Sequence, residues 1–172
     1  MKNKILPFSV IIFFGMIFFI FYKGLEDSKI YTPNVNTKNE IPVFNTKDFF
    51  SGENMKSSSI FELDEIYLLN IWSSWCIPCR QEHPFLMNLN SDNTVNIIGM
   101  NYKDNLKNAK NFLEELGDPY KEIFTDVDGT IAIEWGAYGV PESYLIYNNK
   151  IIKKYIGPLN QKFINEIKLL IK

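Results

Sequence analysis

The two cysteines of this 172-residue chain stand together as Cys76-Ile77-Pro78-Cys79. Two thiols at that spacing can close a disulfide across one turn and open it again by exchange with a thiolate. Their surroundings say where the turn lies. An apolar run, Tyr67-Leu68-Leu69 with Ile71 and Trp72, leads through Ser73-Ser74-Trp75 into the pair, and a charged segment at helical spacing follows. That reads as strand, turn, dithiol, helix. The first sulfur then sits at a helix N-terminus, where unpaired N–H groups and the macrodipole favour a thiolate. Cys76 is the expected nucleophile and Cys79 the resolving thiol. Pro78 is tolerated because the first helical residues have no intrahelical acceptor for their N–H groups. Disulfides that staple small secreted domains usually close longer loops, so the pair does not read as a framework cross-link; a simple packing pair is the other reading.

Glu82 and His83 are further candidates. Glu82 lies six residues after Cys76 and three after Cys79. Near the dithiol it would raise the Cys79 pKa or relay a proton; as a solvated helix residue it would do neither. His83, the one histidine, shares a helical face region with both cysteines. A structural zinc site takes four ligands and no second pair is present, so copper or zinc carriage stands as a lesser alternative. Asp126-Val127-Asp128-Gly129 opens like a calcium loop but lacks the later ligands and the closing glutamate, and reads as a turn. Thiol exchange needs no metal or organic cofactor, and none is expected.

The elements that position these groups follow from composition and order. With 46% hydrophobic and 15% aromatic residues the chain can bury one good core, and its length favours one domain. Part of the apolar content lies apart from that core. Residues 5–22 form an uncharged run just long enough as a helix to cross a bilayer, with Lys2 and Lys4 before it and Lys23 after it. Phe21-Tyr22-Lys23 lacks the small residues of a signal-peptide cleavage site, so residues 1–23 are expected to be an uncleaved anchor. The lysine balance leans toward an N-terminus in the cytoplasm and cysteines on the far side. Without residues 1–23 the formal charge moves from −2 to about −5, which argues against a nucleic-acid surface.

Residues 24–40 are polar and without apolar period, and read as a tether spanning roughly 20–25 Å. The folded domain is expected over 41–172. It opens with a small hairpin or edge strands over 41–50 and 60–63. After the dithiol helix, in which Pro84 should produce a kink, residues 95–100 make a central strand parallel to the first. Asp104 is the expected N-cap of a helix with Leu106, Ala109, Phe112, Leu113 and Leu116 on one face, stopped by Gly117. A strand over 122–125 follows, then a short helix from Ile131 that ends at Gly136 or Gly139. Strands over 143–147 and 151–155 turn at Asn148-Asn149-Lys150. A final helix carries Phe163, Ile164, Ile167 and Leu170 or Ile171.

This β-α-β-α, proline turn, β-β-α order with Cys-x-x-Cys at the first strand-to-helix junction resembles the thioredoxin superfamily. Trp72-Ser73-Ser74-Trp75-Cys76 is similar to the family's WAxWC, Pro84 to its helix proline, and Val140-Pro141 to its cis-proline. Within the superfamily, residues 69–86, 99–104, 113–120 and 136–146, the last with Gly139-Val140-Pro141-Glu142, resemble the membrane-anchored thiol:disulfide interchange proteins of cytochrome c maturation, the DsbE or CcmG type. The resemblance implies an α/β thioredoxin-like fold, a central mixed sheet flanked by helices, behind one N-terminal transmembrane helix. It implies a reductant on the periplasmic side of a bacterial inner membrane, acting on apocytochrome c or a maturation factor and recharged by a membrane thiol transporter. It further implies a cis Val140-Pro141 bond that exposes the Val140 backbone to an extended substrate, with Trp75, Tyr138 and Glu142 shaping the cleft. Asn70 stands where many thioredoxins carry a buried aspartate, and asparagine takes no proton at neutral pH, so interest in Glu82 rises. A general disulfide oxidant or isomerase is the main rival, because the same fold runs in either direction according to how far the reduced form is stabilised.

Overall fold

The computed structural model describes residues 5–26 and 40–170, so most of the expected tether, together with Lys2, Lys4 and Ile171, lies outside the described residues. The chain divides into two compact units, residues 1–34 and 35–172. The first holds α1 (Ile5–Glu26), whose side chains are described from residue 9 to 23 and are mostly exposed. Among the described residues no helix is long and apolar enough to cross a membrane.

The second unit runs β1 (Asn45–Asp48), β2 (Asn54–Lys56), α2 (Ser57–Ile60), β3 (Ile66–Trp72), α3 (Ile77–Ser91), β4 (Asn96–Tyr102), α4 (Leu106–Leu116), β5 (Glu122–Asp126), α5 (Thr130–Glu134), β6 (Glu142–Tyr147), β7 (Lys150–Ile156) and α6 (Gln161–Leu170). The strands form one sheet in the order β2-β1-β5-β4-β3-β6-β7. β3, β4 and β5 are parallel, and the outer pairings are antiparallel, so the sheet is mixed as expected.

β3 reads as an unbroken apolar run because both of its faces are covered. Leu68 and Trp72 join a core with Leu86, Leu89, Phe112, Ile164 and Ile167 from α3, α4 and α6. Leu69 and Ile71 face the other way, onto Phe61, Ile98, Phe124, Ile131 and Trp135. A central strand buried on both sides needs apolar residues at nearly every position. Asn70 is the exception, fully buried in mid-strand.

Several expectations hold. α3 continues past Pro84, and Gly117 ends α4 with φ +91° and its N–H on the Leu113 carbonyl. Asn148 and Asn149 take positive φ in the two-residue turn between β6 and β7, the conformation that matches the strands' twist.

Others need correction. The segment after β2 is the short helix α2, not an edge strand: the Ser57 hydroxyl accepts the Phe44 N–H and the Ser57 N–H returns to the Phe44 carbonyl, which turns the chain inward. The cap of α4 is Asn105, whose side chain accepts the N–H groups of Lys107 and Asn108; Asp104 is drawn elsewhere by Ser74. The short helix α5 does stop at Gly136, the first of the two expected ends, with Trp135 as its cap and Gly136 at φ +66°, but it begins at Thr130, held there by Asp126, which accepts the N–H groups of Gly129, Ile131 and Ala132. Leu106 is exposed, outside the core that its helix face was expected to join, and Leu170, the alternative to Ile171 on the last helix, is exposed too.

The outer edges differ from the centre. β2 has three residues, and β7 carries Lys150, Lys153 and Lys154. Near the middle of β4, Gly99 leaves room for two stacked rings. A Cβ there would lie 3.0 Å from Trp72 Nε1 and 3.1 Å from the Tyr120 ring, both in the core. Gly99→Ala is therefore expected to destabilise the protein by about 1–3 kcal/mol, the usual cost of overpacking, as read from the midpoint of denaturant unfolding; an unchanged midpoint would show that the rings move aside freely.

Candidate active site

α3 begins where it does because Cys76, with extended backbone at φ −87°, ψ 107°, caps the helix with its own sulfur, which accepts the Cys79 N–H at 3.1 Å. Pro78 fills an early position that has no N–H to satisfy. Cys76 and Cys79 form a disulfide, with Cα atoms 5.3 Å apart. Both cysteines are buried, while Trp75 and Ile77 beside them are 57% and 72% exposed. The dithiol thus lies at the floor of an apolar rim.

The turn before it is fastened to the end of β4. The Ser73 hydroxyl donates to the Tyr102 carbonyl. The Ser74 N–H and hydroxyl both donate to the Asp104 carboxylate, at 2.5 and 2.7 Å, and Trp75 Nε1 donates to the Lys103 carbonyl at 3.0 Å. Asp104 also receives the Asn101 amide and the Asn105 N–H. Sequence reasoning missed this carboxylate, since its partners lie thirty residues away and its spacing before α4 suits a cap.

Val140-Pro141 is cis. β6 starts directly after it, with Glu142 paired to Ile71, so the cis-proline and the residues that follow β3 share one end of the sheet. Tyr138 is exposed and Val140 half-buried. Glu142 departs from its expected place in the cleft lining. It is buried, accepts the Tyr138 N–H at 2.9 Å and the Tyr144 hydroxyl at 3.1 Å, and pairs with Lys154 at 2.8 Å. Burial forces a carboxylate to be paired and hydrogen-bonded, and the hydrogen bond from the Tyr138 N–H is the contact of Glu142 with the exposed residues before Pro141.

Glu82 lies one helical turn after Cys79 and is 0% exposed. The solvated reading therefore fails. One carboxylate oxygen accepts the Asn70 amide at 2.8 Å, the other the Leu159 N–H at 2.7 Å. Asn70 also donates to Ser143 and accepts from the Tyr120 hydroxyl, so the site where an aspartate was absent is the hub of a buried network. Burial pushes the Glu82 pKa up from 4.5 to about 7, and its two hydrogen bonds restrain the rise. His83, next along α3, is buried with Nε2 on the Gly117 carbonyl at 2.9 Å, and burial lowers its pKa. Among the described residues no group of three or more His, Cys, Asp or Glu is placed to hold a metal ion.

Residues 36–168 match the Redoxin family. This chain belongs to that family. Within it, the chain is 31% identical over 167 residues to the thiol:disulfide interchange protein DsbE of Escherichia coli, covering 94% of this chain and 90% of the relative. It is 33% identical over 161 residues to DsbE of Allochromatium vinosum, covering 92% and 86%. A shorter match, 50% identical over 95 residues, links it to the thiol:disulfide interchange protein CycY of Rhizobium leguminosarum, at 55% of this chain and about half (51%) of the relative's length. The crystal structure of a putative DsbE from Chlorobium tepidum shares the fold at a TM-score of 0.64, with 23% identity over 79% of this chain and 97% of that one. This Redoxin-family protein is a thiol:disulfide oxidoreductase.

The raised Glu82 pKa has a stability consequence. The unfolded chain loses that proton near pH 4.5 and the folded protein near 7. Across this window the native state binds more protons, so stability falls as pH rises, by roughly 3 kcal/mol at about 1.4 kcal/mol per unit. Glu82→Gln is expected to remove that slope: between pH 4.5 and 8 the wild type should lose about 3 kcal/mol relative to the variant in urea unfolding of the disulfide form, and a constant difference would mean an ordinary carboxyl.

Proposed function

We propose that this thiol:disulfide oxidoreductase is a membrane-anchored reductant that keeps the cysteine pair of apocytochrome c, or of a maturation factor, as thiols before haem attachment. The observation that carries the direction of attack is Cys76 at the cap of α3, with Cys79 one turn inward. In the reduced form the helix N-terminus favours a thiolate on Cys76. That thiolate attacks one sulfur of the partner's disulfide, forming a mixed disulfide and releasing the partner's other sulfur as a thiolate. Cys79 then attacks Cys76 Sγ, which closes the Cys76–Cys79 disulfide and releases the second partner thiolate. Two electrons pass to the partner, and the protein ends in the disulfide form. A membrane thiol transporter returns it to the dithiol. The two cysteines carry the exchange, without a metal or organic cofactor.

Glu82 is the proton acceptor for Cys79 in this scheme. A carboxyl with a pKa of about 7 is suited to holding and giving up a proton near neutral pH. The cis-proline supports the placing of the partner: the Val140 backbone pairs with an extended segment beside the dithiol, and exposed Trp75 and Tyr138 cover it on either hand. The cytochrome c role draws on the DsbE and CycY relatives. Anchoring draws on the uncharged run of residues 5–22, which as an uncleaved helix holds residues 41–172 on the periplasmic side of a bacterial inner membrane through the tether of residues 24–40.

Cys79→Ser leaves Cys76 able to form mixed disulfides and unable to resolve them. Expressed in its own cell, the full chain should then capture apocytochrome c or a maturation factor together with a membrane thiol transporter, identified after non-reducing separation. Capture of a broad set of secreted cysteine proteins, with a midpoint potential near roughly −120 mV, would instead make it a general oxidant or isomerase.

A further inference from the structure

The loop carrying the cis-proline is held by a residue from outside it. Lys154 lies on β7, opposite Tyr144, with its side chain 13% exposed. Its Nζ donates to the Gly136 carbonyl at 2.7 Å and pairs with Glu142 Oε2 at 2.8 Å. The same nitrogen lies 4.2 Å from the centroid of the Tyr138 ring and 5.4 Å from that of Tyr144. Gly136 and Glu142 flank the segment that contains Val140-Pro141, so one cation grips both ends of the loop and the aromatic face between them.

The backbone of the loop is tied at its ends, by the Gly136 N–H on the Ile133 carbonyl, the Ala137 N–H on the Ala132 carbonyl and the Gly157 N–H on the Pro141 carbonyl, and Lys154 adds the side-chain hold between them. Gly136 sits at φ +66°, and a Cβ on either Gly136 or Gly139 would meet nothing within 4 Å. Glu142 binds the Tyr138 N–H through its other oxygen, so the Lys154–Glu142 pair fixes Tyr138 by backbone and by ring together. An ammonium has three donors and no acceptor; here a carbonyl, a carboxylate and a ring face surround it. Its charge is therefore spent inside the loop, and it is not itself a binding site for an anion.

We propose that Lys154 is a positioning residue for partner binding: it holds Tyr138 and the backbone approaching Val140 in the shape that receives an extended segment with a Cys-x-x-Cys disulfide. This rests on the reading that Val140 pairs with the partner. A purely structural ion pair between β6 and β7 would affect folding stability without selectively weakening peptide binding.

The test is steady-state reduction of a synthetic peptide bearing an oxidised Cys-x-x-Cys by the full chain, with dithiothreitol recycling. Lys154→Met is expected to raise the peptide KM about tenfold with kcat within about twofold, and Lys154→Arg, which keeps the charge and its donors, to return KM to within about threefold of wild type. A Met variant with unchanged KM, or an Arg variant as impaired as Met, overturns the proposal. Should Lys154→Met fail to fold, Glu142→Gln decides: it keeps an acceptor for Tyr138 and loses the ion pair, and should raise KM about threefold, whereas an unchanged KM overturns the proposal. Val140→Pro, which removes the Val140 N–H, separates the two levels. If it leaves KM unchanged, the pairing reading falls; if it raises KM and Lys154→Met does not, only the role of Lys154 falls.

Discussion

The parallel register between β3 and β4, which sets Trp72 opposite Asn101, is the constraint on which the dithiol depends. Parallel neighbours run out at the same end of the sheet, so the chain leaving β3 emerges beside the chain leaving β4. Their next residues interlock: Ser73 with Tyr102, Ser74 with Asp104, Trp75 with Lys103. A slip of one residue would exchange the two buried faces of β3, sending Leu68 where Leu69 belongs, and would carry Asp104 away from Ser74. The apolar pattern that covers both faces therefore also fixes the entry angle of α3 and the place of Cys76 at its cap.

Beneath the dithiol the demand is electrostatic. Glu82 occupies interior space that an apolar side chain would fill at lower cost, and a set of polar groups is arranged around it. Asn70 gives up the apolar pattern of β3 to donate to it, Tyr120 and Ser143 complete the hydrogen bonding of Asn70, and the chain entering α6 supplies the Leu159 N–H. Strands, helix and connection meet at one carboxyl group. Buried polar groups of this sort are tolerated when each member is satisfied.

How much of this was legible depends on the range of the interaction concerned. The strand-to-helix junction, α4 and its Gly117 stop, and the Asn148-Asn149 turn follow from neighbours in sequence, and all appear where the residues put them. Asp104 did not, because two adjacent residues were both able to cap α4 and only Ser74, thirty positions earlier, decides between them. Glu82 was half legible: its spacing after Cys76 and Cys79 marked it as a candidate, but the choice between a buried and a solvated carboxylate is made by Asn70 and Leu159, twelve and seventy-seven positions away. Glu142 read as a cleft residue because its place beside Pro141 was visible and its partner on β7 was not. The segment before the expected strand at 60–63 is turned into α2 by the reciprocal bonds of Ser57 with Phe44, which lie thirteen positions apart.

The edges of the sheet bear on how the protein can meet unfolded chains. An exposed strand edge is a template on which any extended segment can stack. Here one edge, β2, is only three residues long, and the other, β7, is studded with lysines and begins with a bridge from Lys150 back to Glu40. Neither margin offers a long apolar ledge. Both margins thereby limit edge-to-edge stacking with another extended chain, and the sheet is protected from becoming the seed of an aggregate.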